Sequence, residues 1–201
     1  MSRPENLSAD AALARLKEGN LRYVNDRVTG ERRDSARRAE LTGGQWPFVT
    51  IVSCADSRVS PELMFDEGLG DLFVIRVAGN INTPEVLGSI EYASLNLGVN
   101  LVVVMGHQSC GAVTAAVQNV DATGPVTNTS IDSLIDAIRP SVVEARKDGE
   151  NDLTDRSIRV NAQLNAESIG SDEAAMEGLA ELGSRVIPAY YSLDSGEVSF
   201  L

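Results

Sequence analysis

The chain has 201 residues, 43% of them hydrophobic, which is enough for one domain that buries most of its apolar surface. A formal net charge of −12 makes it a polyanion that repels phosphate backbones, which argues against nucleic acid as a partner. No apolar run approaches the ~18–20 residues that cross a bilayer, and the opening MSRPENLSAD is polar, so neither a membrane span nor a secretory signal is expected. The reading is a soluble, cytoplasmic protein. Two cysteines cannot build a disulfide scaffold, and in a reducing compartment they would be thiols.

Segment 9–26 places Ala12, Leu13, Leu16, Leu21 and Val24 at helical spacing. Residues 31–42 (ERRDSARRAELT) predict a second, basic helix with a solvated face, ended by GGQWP. FVTIVS (48–53) is a short β-branched run, as expected of a strand buried on both faces. SPELMFDEG (60–68) predicts a helix with Pro61 near its start, and LFVIRV (72–77) a second strand. A helix over 84–98 follows, then a strand at LVVVM (101–105) and a helix over 110–120. The region 130–182 predicts two or three helices, RVIPAYYSL (185–193) a fourth strand, and EVSFL after Asp194-Ser195-Gly196 a possible return strand. Strands that alternate with helices predict a single α/β domain over 1–201. It would have about four parallel strands plus a possible C-terminal antiparallel one, flanked by helices.

The chemistry-bearing residues collect at two strand ends. Cys54, Asp56 and Arg58 follow the first predicted strand at i, i+2 and i+4, so an extended backbone would point all three the same way. His107, the only histidine, and Cys110, the other cysteine, follow the third strand three residues apart, the spacing of one helical face. The carboxyl ends of strands are where open α/β sheets place their sites. Two thiolates and an imidazole make a zinc set with a fourth position open, the pattern of a catalytic zinc. The chain has no further Cys or His to close the site, which leaves Asp56 as the nearest candidate fourth ligand. A Cys-His nucleophilic pair and a disulfide are the competing readings. Arg58 would hold Asp56 ionised, and a fixed carboxylate beside a metal accepts a hydrogen bond from a water and orients it.

These same motifs, CADSRV (54–59), DLFVIRVAGN (71–80) and GHQSCGAV (106–113), closely resemble the β-class carbonic anhydrases. The likeness runs from LKEGNLRYV (16–24) through IEYA (90–93) to the C-terminal YYSLDSGEVSFL. The resemblance implies one Zn2+ per subunit on Cys54, His107 and Cys110, with Asp56 and Arg58 as the dyad beside it. It also implies a substrate pocket built from Gln45, Phe73, Ala78, Tyr92 and Gly111, with Gln45 reaching in across a dimer interface. Residues 1–42 would form a helical arm that packs on a partner subunit, and 43–201 the α/β core. Ala78 is smaller than the valine of plant members. A bicarbonate-regulated branch carries a tryptophan three residues before its first cysteine, where this chain has Ile51.

The implied reaction is the reversible hydration of carbon dioxide by a zinc-bound hydroxide, in a dimer or higher homo-oligomer. Rivals are hydrolysis of carbonyl sulfide or carbon disulfide on the same scaffold and, in another class, a non-catalytic zinc-binding regulatory module. Two thiolates and one imidazole leave zinc(II) formally neutral, so it should acidify its water less than a three-histidine zinc, whose water has a pKa of about 7. The single histidine is consumed as a ligand, so proton transfer should depend on buffer, tyrosine or carboxylates.

Overall fold

The computed structural model describes residues 6–172 and 184–201. Its strands are β1 (Val49–Ser53), β2 (Leu72–Arg76), β3 (Leu101–His107), β4 (Arg185–Tyr191) and β5 (Val198–Phe200). They form one sheet in the order β2-β1-β3-β4-β5. The first three pairings are parallel and β4–β5 is antiparallel, as the alternating pattern and the return strand imply. The helices are α1 (Ala9–Val24), α2 (Ser35–Glu40), α3 (Pro61–Met64), α4 (Pro84–Glu91), α5 (Gly111–Gln118), α6 (Ile131–Arg146) and α7 (Leu153–Gly170). Any third helix of the 130–182 region falls in 173–182, outside the described residues. Among the described residues no helix is long and apolar enough to cross a membrane.

The central strands are buried on both faces, and their period of two sorts the core. Val49 and Ile51 of β1, with Leu101, Val103 and Met105 of β3, pack under Ala12 and Leu16 of α1. Val52, Val102 and Val104 face Val86 and Ile90 of α4 and Ile169 of α7. Each such side chain contributes about 1.5–3 kcal/mol by leaving water. The arm buries Ala12 and Leu16 fully on the sheet of its own subunit and leaves Leu21 and Val24 of the same helix exposed. At Gly106 of β3 a Cβ would stand 2.9 Å from Ile158 Cγ2 and 3.0 Å from the Ile158 carbonyl, so α7 crosses where only glycine fits.

Three predicted helices are shorter than expected, each for a local reason. The helix after β1 stops at Met64, and Asp66 turns left-handed (φ 48°) so that its carboxylate accepts the Thr29 and Gly30 amides and Arg22 Nε. The basic helix is confined to Ser35–Glu40, capped by Asp34 and followed by a 3-10 turn at Leu41–Gly43. Its arginines do not merely face solvent, because Arg32 and Arg37 pair with the buried Asp71, and Arg33 with Asp66. The 84–98 helix widens into a π-helical turn at Tyr92–Asn96. There Ala93 and Ser94 are buried while Tyr92 and Leu95 remain exposed.

Candidate metal centre

Each donor stands at the end of a buried strand or in the short turn just past it. Cys54 directly follows β1 and is 4% exposed. β3 runs past the predicted 101–105 to end on His107, which is fully buried and in register with Tyr191 of β4. Ser109 then takes a left-handed conformation (φ 56°), and Cys110 is the residue that caps α5. His107 and Cys110 thus meet across a tight strand-to-helix turn, not on one turn of helix. The backbone does not stay extended beyond Asp56 either. The Arg58 amide donates to Asp56 Oδ1 (2.9 Å) and the Val59 amide to the Asp56 carbonyl (3.0 Å), an Asx turn. That turn folds Arg58 back on Asp56 in a bidentate pair, Nε to Oδ1 at 2.9 Å and one terminal N–H to Oδ2 at 2.7 Å.

The ligand atoms of Cys54, His107 and Cys110 all lie within 4.8 Å of one another, and the two sulfurs are 4.0 Å apart. Tetrahedral zinc with bonds of about 2.3 Å to sulfur would hold two thiolates roughly 3.8 Å apart. His107 Nδ1 lies 2.9 Å from the Gln108 carbonyl, which assigns the proton to Nδ1 and leaves Nε2 with a lone pair. That Nε2 is buried with no hydrogen-bond partner, a cost that a metal ion would remove. The donor set therefore fits zinc. Both cysteines are free thiols, which sets the disulfide aside.

The electrostatics follow from these contacts. The hydrogen bond from Cys110 is the largest influence lowering the Cys54 thiol, aided by His107 and the Gly79 amide and opposed by burial. The same bond, together with burial, pushes Cys110 up. The Arg58 guanidinium holds the Asp56 carboxyl well below the usual carboxylate range, against the opposing effect of burial. Asp56 Oδ2 sits 3.9 Å from His107 Nε2, so an ionised carboxylate borders the open side of the donor set. Arg58 also donates to the Ser109 carbonyl at 3.3 Å and so ties the two motif loops together.

Arg76, at the end of β2, was not singled out by sequence reasoning. Its Nε donates to the Cys54 carbonyl (3.0 Å) and a terminal N–H to the Asp56 carbonyl (2.6 Å), fixing the backbone that carries both side chains. The one available signal was its position: a lone arginine ending an apolar run, in register with Ser53. Gln108 was also missed. Its side chain anchors the His107 loop by donating to Asp194 Oδ2 (2.6 Å) and accepting the Asp194 amide (3.1 Å).

The structure brings some of the expected pocket residues together. Phe73 and Tyr92 lie with ring centroids 6.2 Å apart. Ala78 opens the short turn Ala78–Asn80, whose Gly79 packs against Ala112, the neighbour of Gly111. Gln45 stands exposed in the loop before β1, and among the described residues no hydrogen bond or ring contact joins it to the other four.

An open Cys2His donor set flanked by an ion-paired carboxylate, at the carboxyl ends of neighbouring parallel strands, has the form of a catalytic metal centre. The family model for carbonic anhydrase matches residues 49–198. Carbonic anhydrase 2 of Mycobacterium tuberculosis is 39% identical over 191 residues, covering 95% of this chain and 92% of that one. The carbonic anhydrase of Mycolicibacterium smegmatis is 37% identical, covering 96% and 93%. Among solved structures, the Coccomyxa β-carbonic anhydrase in complex with acetazolamide superposes with a TM-score of 0.72 at 25% identity, covering 94% of this chain and 86% of that one. The chain belongs to the carbonic anhydrase family, in its β class. Its activity is the family's reversible hydration of carbon dioxide to bicarbonate and a proton.

Proposed function

We propose that the reaction runs at one zinc ion per subunit held by Cys54, His107 and Cys110, with Asp56 and Arg58 as the catalytic dyad. The observation that carries this reading is the convergence of the three ligand atoms within 4.8 Å around a buried, unpartnered Nε2. Bound zinc supplies Lewis-acid chemistry that makes a water nucleophilic near neutral pH. The protein does the positioning. Asp56, ionised, accepts a hydrogen bond from the attacking water and cannot donate one, so it fixes where the water's lone pair points. Arg58 occupies both Asp56 oxygens, which supports a state in which the carboxylate attends the water rather than serving as the fourth ligand. The Nδ1–H of His107, donated to the Gln108 carbonyl, keeps Nε2 turned toward its partner.

Phe73, Ala78, Tyr92 and Gly111, joined by Gln45, form the substrate pocket in this reading. An apolar wall suits a small molecule without net charge, and release of the product suits a polar partner such as Gln45. Phe73 lies on β2, the half-exposed edge strand of the sheet, beside the exposed Tyr92. A second copy of the chain covering that edge would complete the pocket, which supports a homo-oligomer. Two free thiols suit a reducing compartment, and the proposed setting is the cytoplasm. The bidentate Asp56–Arg58 pair weighs against a non-catalytic zinc module, since a structural zinc has no use for it.

The test is zinc content together with carbon dioxide hydration in Cys54→Ser. Loss of both is expected. Zinc content equal to the wild type's would sink the ligand assignment.

A further inference from the structure

We propose that Asn161 is a positioning residue for the metal centre, acting through Gly79 to hold a backbone N–H on the Cys54 sulfur. The proposal rests on the reading of Cys54 as a zinc ligand. The Gly79 amide donates to Cys54 Sγ at 3.3 Å. Gly79 is left-handed (φ 76°), and a Cβ there would stand 2.5 Å from Ile138 Cδ1 and 3.3 Å from Ala112 Cβ. Only glycine fits, yet glycine is also the residue with the most backbone freedom. Something must select this one conformation.

Asn161 of α7 does so. It is completely buried, and its Nδ2 donates to the Gly79 carbonyl at 2.8 Å. Its own Oδ1 is held by the Ser141 hydroxyl of α6 (3.2 Å) and by Asn165 Nδ2 (3.1 Å). One helical turn on, Asn165 Oδ1 accepts the Asn82 amide at 2.7 Å. Two asparagines of α7 thus grip the loop that follows β2 at two points, and the nearer one holds the peptide on the far side of the Gly79 Cα, which fixes the turn that aims the Gly79 N–H at the sulfur. Burying an uncharged amide in the core costs free energy unless its hydrogen bonds are made, and here one of them fixes a donor to a ligand.

The chemical consequence is a change in the thiolate. An N–H on sulfur draws electron density from it and makes it a weaker donor to the metal. Two thiolates and an imidazole leave zinc(II) formally neutral, so withdrawal from one sulfur keeps the metal more electropositive. The relay therefore offsets part of the charge that the second cysteine brings.

Cobalt(II) substitution reads this directly. In Asn161→Leu, which keeps the bulk and removes the donor, the thiolate-to-cobalt charge-transfer band should move to lower energy. Affinity for cobalt against a competing chelator should fall about 10-fold, because loss of the fixed ligand geometry outweighs the stronger donation of the freed thiolate; this is the low end of the usual effect of groups that orient metal ligands. Ile169→Val, buried in the same helix, should lower Tm and leave the band in place. In the unsubstituted protein loaded with a spin-half cadmium isotope, the Gly79 amide proton should show scalar coupling to the metal across the N–H···S bond. That arm does not depend on any variant folding. An unmoved band and unchanged affinity in a folded Asn161→Leu, or no coupling at Gly79, overturns the proposal. If the wild-type protein binds cobalt without any thiolate band, the assignment of Cys54 as a ligand is what fails.

Discussion

The metal centre and the N-terminal arm are both crowded with polar side chains, yet they are built in opposite ways. The centre gathers its donors on backbone that has no alternative. Cys54 and His107 end fully buried strands, and Arg76, Gly79 and Gln108 hold the loops by hydrogen bonds to main chain and sulfur. The arm relies on charge instead. Arg15, Arg22, Arg32, Arg33 and Arg37 converge on the buried carboxylates of Asp66, Glu67 and Asp71. The acids are at most 4% exposed, while four of those arginines are about a third or more exposed. Covalent and hydrogen-bonded geometry fixes chemistry to fractions of an ångström. Ion pairs between long side chains secure an element without demanding such precision. Changes at the centre should therefore act on rate and metal, and changes in the clamp on stability.

The largest expected effect is on rate. Asp56→Asn removes the charged acceptor while keeping its shape, and kcat/KM should fall about 100-fold or more with zinc content and Tm near wild type. Metal analysis and thermal melts alongside stopped-flow rates check this. A comparable fall in zinc content would blur the separation of the two regions. Next is the clamp: Asp66→Asn leaves Arg22 and the Thr29 and Gly30 amides facing a weaker acceptor, and should cost about 2–3 kcal/mol in denaturant unfolding. The kcat of the folded fraction should not move.

A smaller, pH-dependent effect follows from the same group. Burial alone would raise the Asp66 pKa, but Arg22, Thr29 and Gly30 bring it down to about 2. A carboxyl lowered in the folded state favours folding above its unfolded pKa of about 3.9 and loses that contribution as pH falls toward 2. Wild-type stability should therefore drop between about pH 4 and 2, with a shallower drop in Asp66→Asn. The smallest effect separates the regions by solvent. With its one histidine at the metal, the enzyme should show kcat rising with buffer concentration, and a kcat indifferent to buffer would show that an internal proton carrier exists.

Most of the scaffold was legible in the sequence because its strands are short β-branched runs between turns. The donor triad was legible because the scarce residues sit directly at strand ends, where chain direction alone brings them together. What could not be read depends on turns and on long-range contacts. The Asx turn at Asp56 and the left-handed Ser109 replaced an extended run and a helical turn, yet both brought the same residues together. Arg76 and Asn161 act on peptide groups of other segments, and no local pattern marks such a partner. The charge run 31–42 suggested a solvated face because the buried acids it meets, Asp66 and Asp71, lie beyond β1 in the chain.

The most direct test of the account is metal removal and return. The chelator-stripped protein is titrated with zinc while carbon dioxide hydration is followed. Activity should be absent without metal and should rise linearly to a plateau at one zinc per chain. Hydration retained by the metal-free protein, or a plateau at any other stoichiometry, would contradict a Cys54–His107–Cys110 centre as the seat of the reaction.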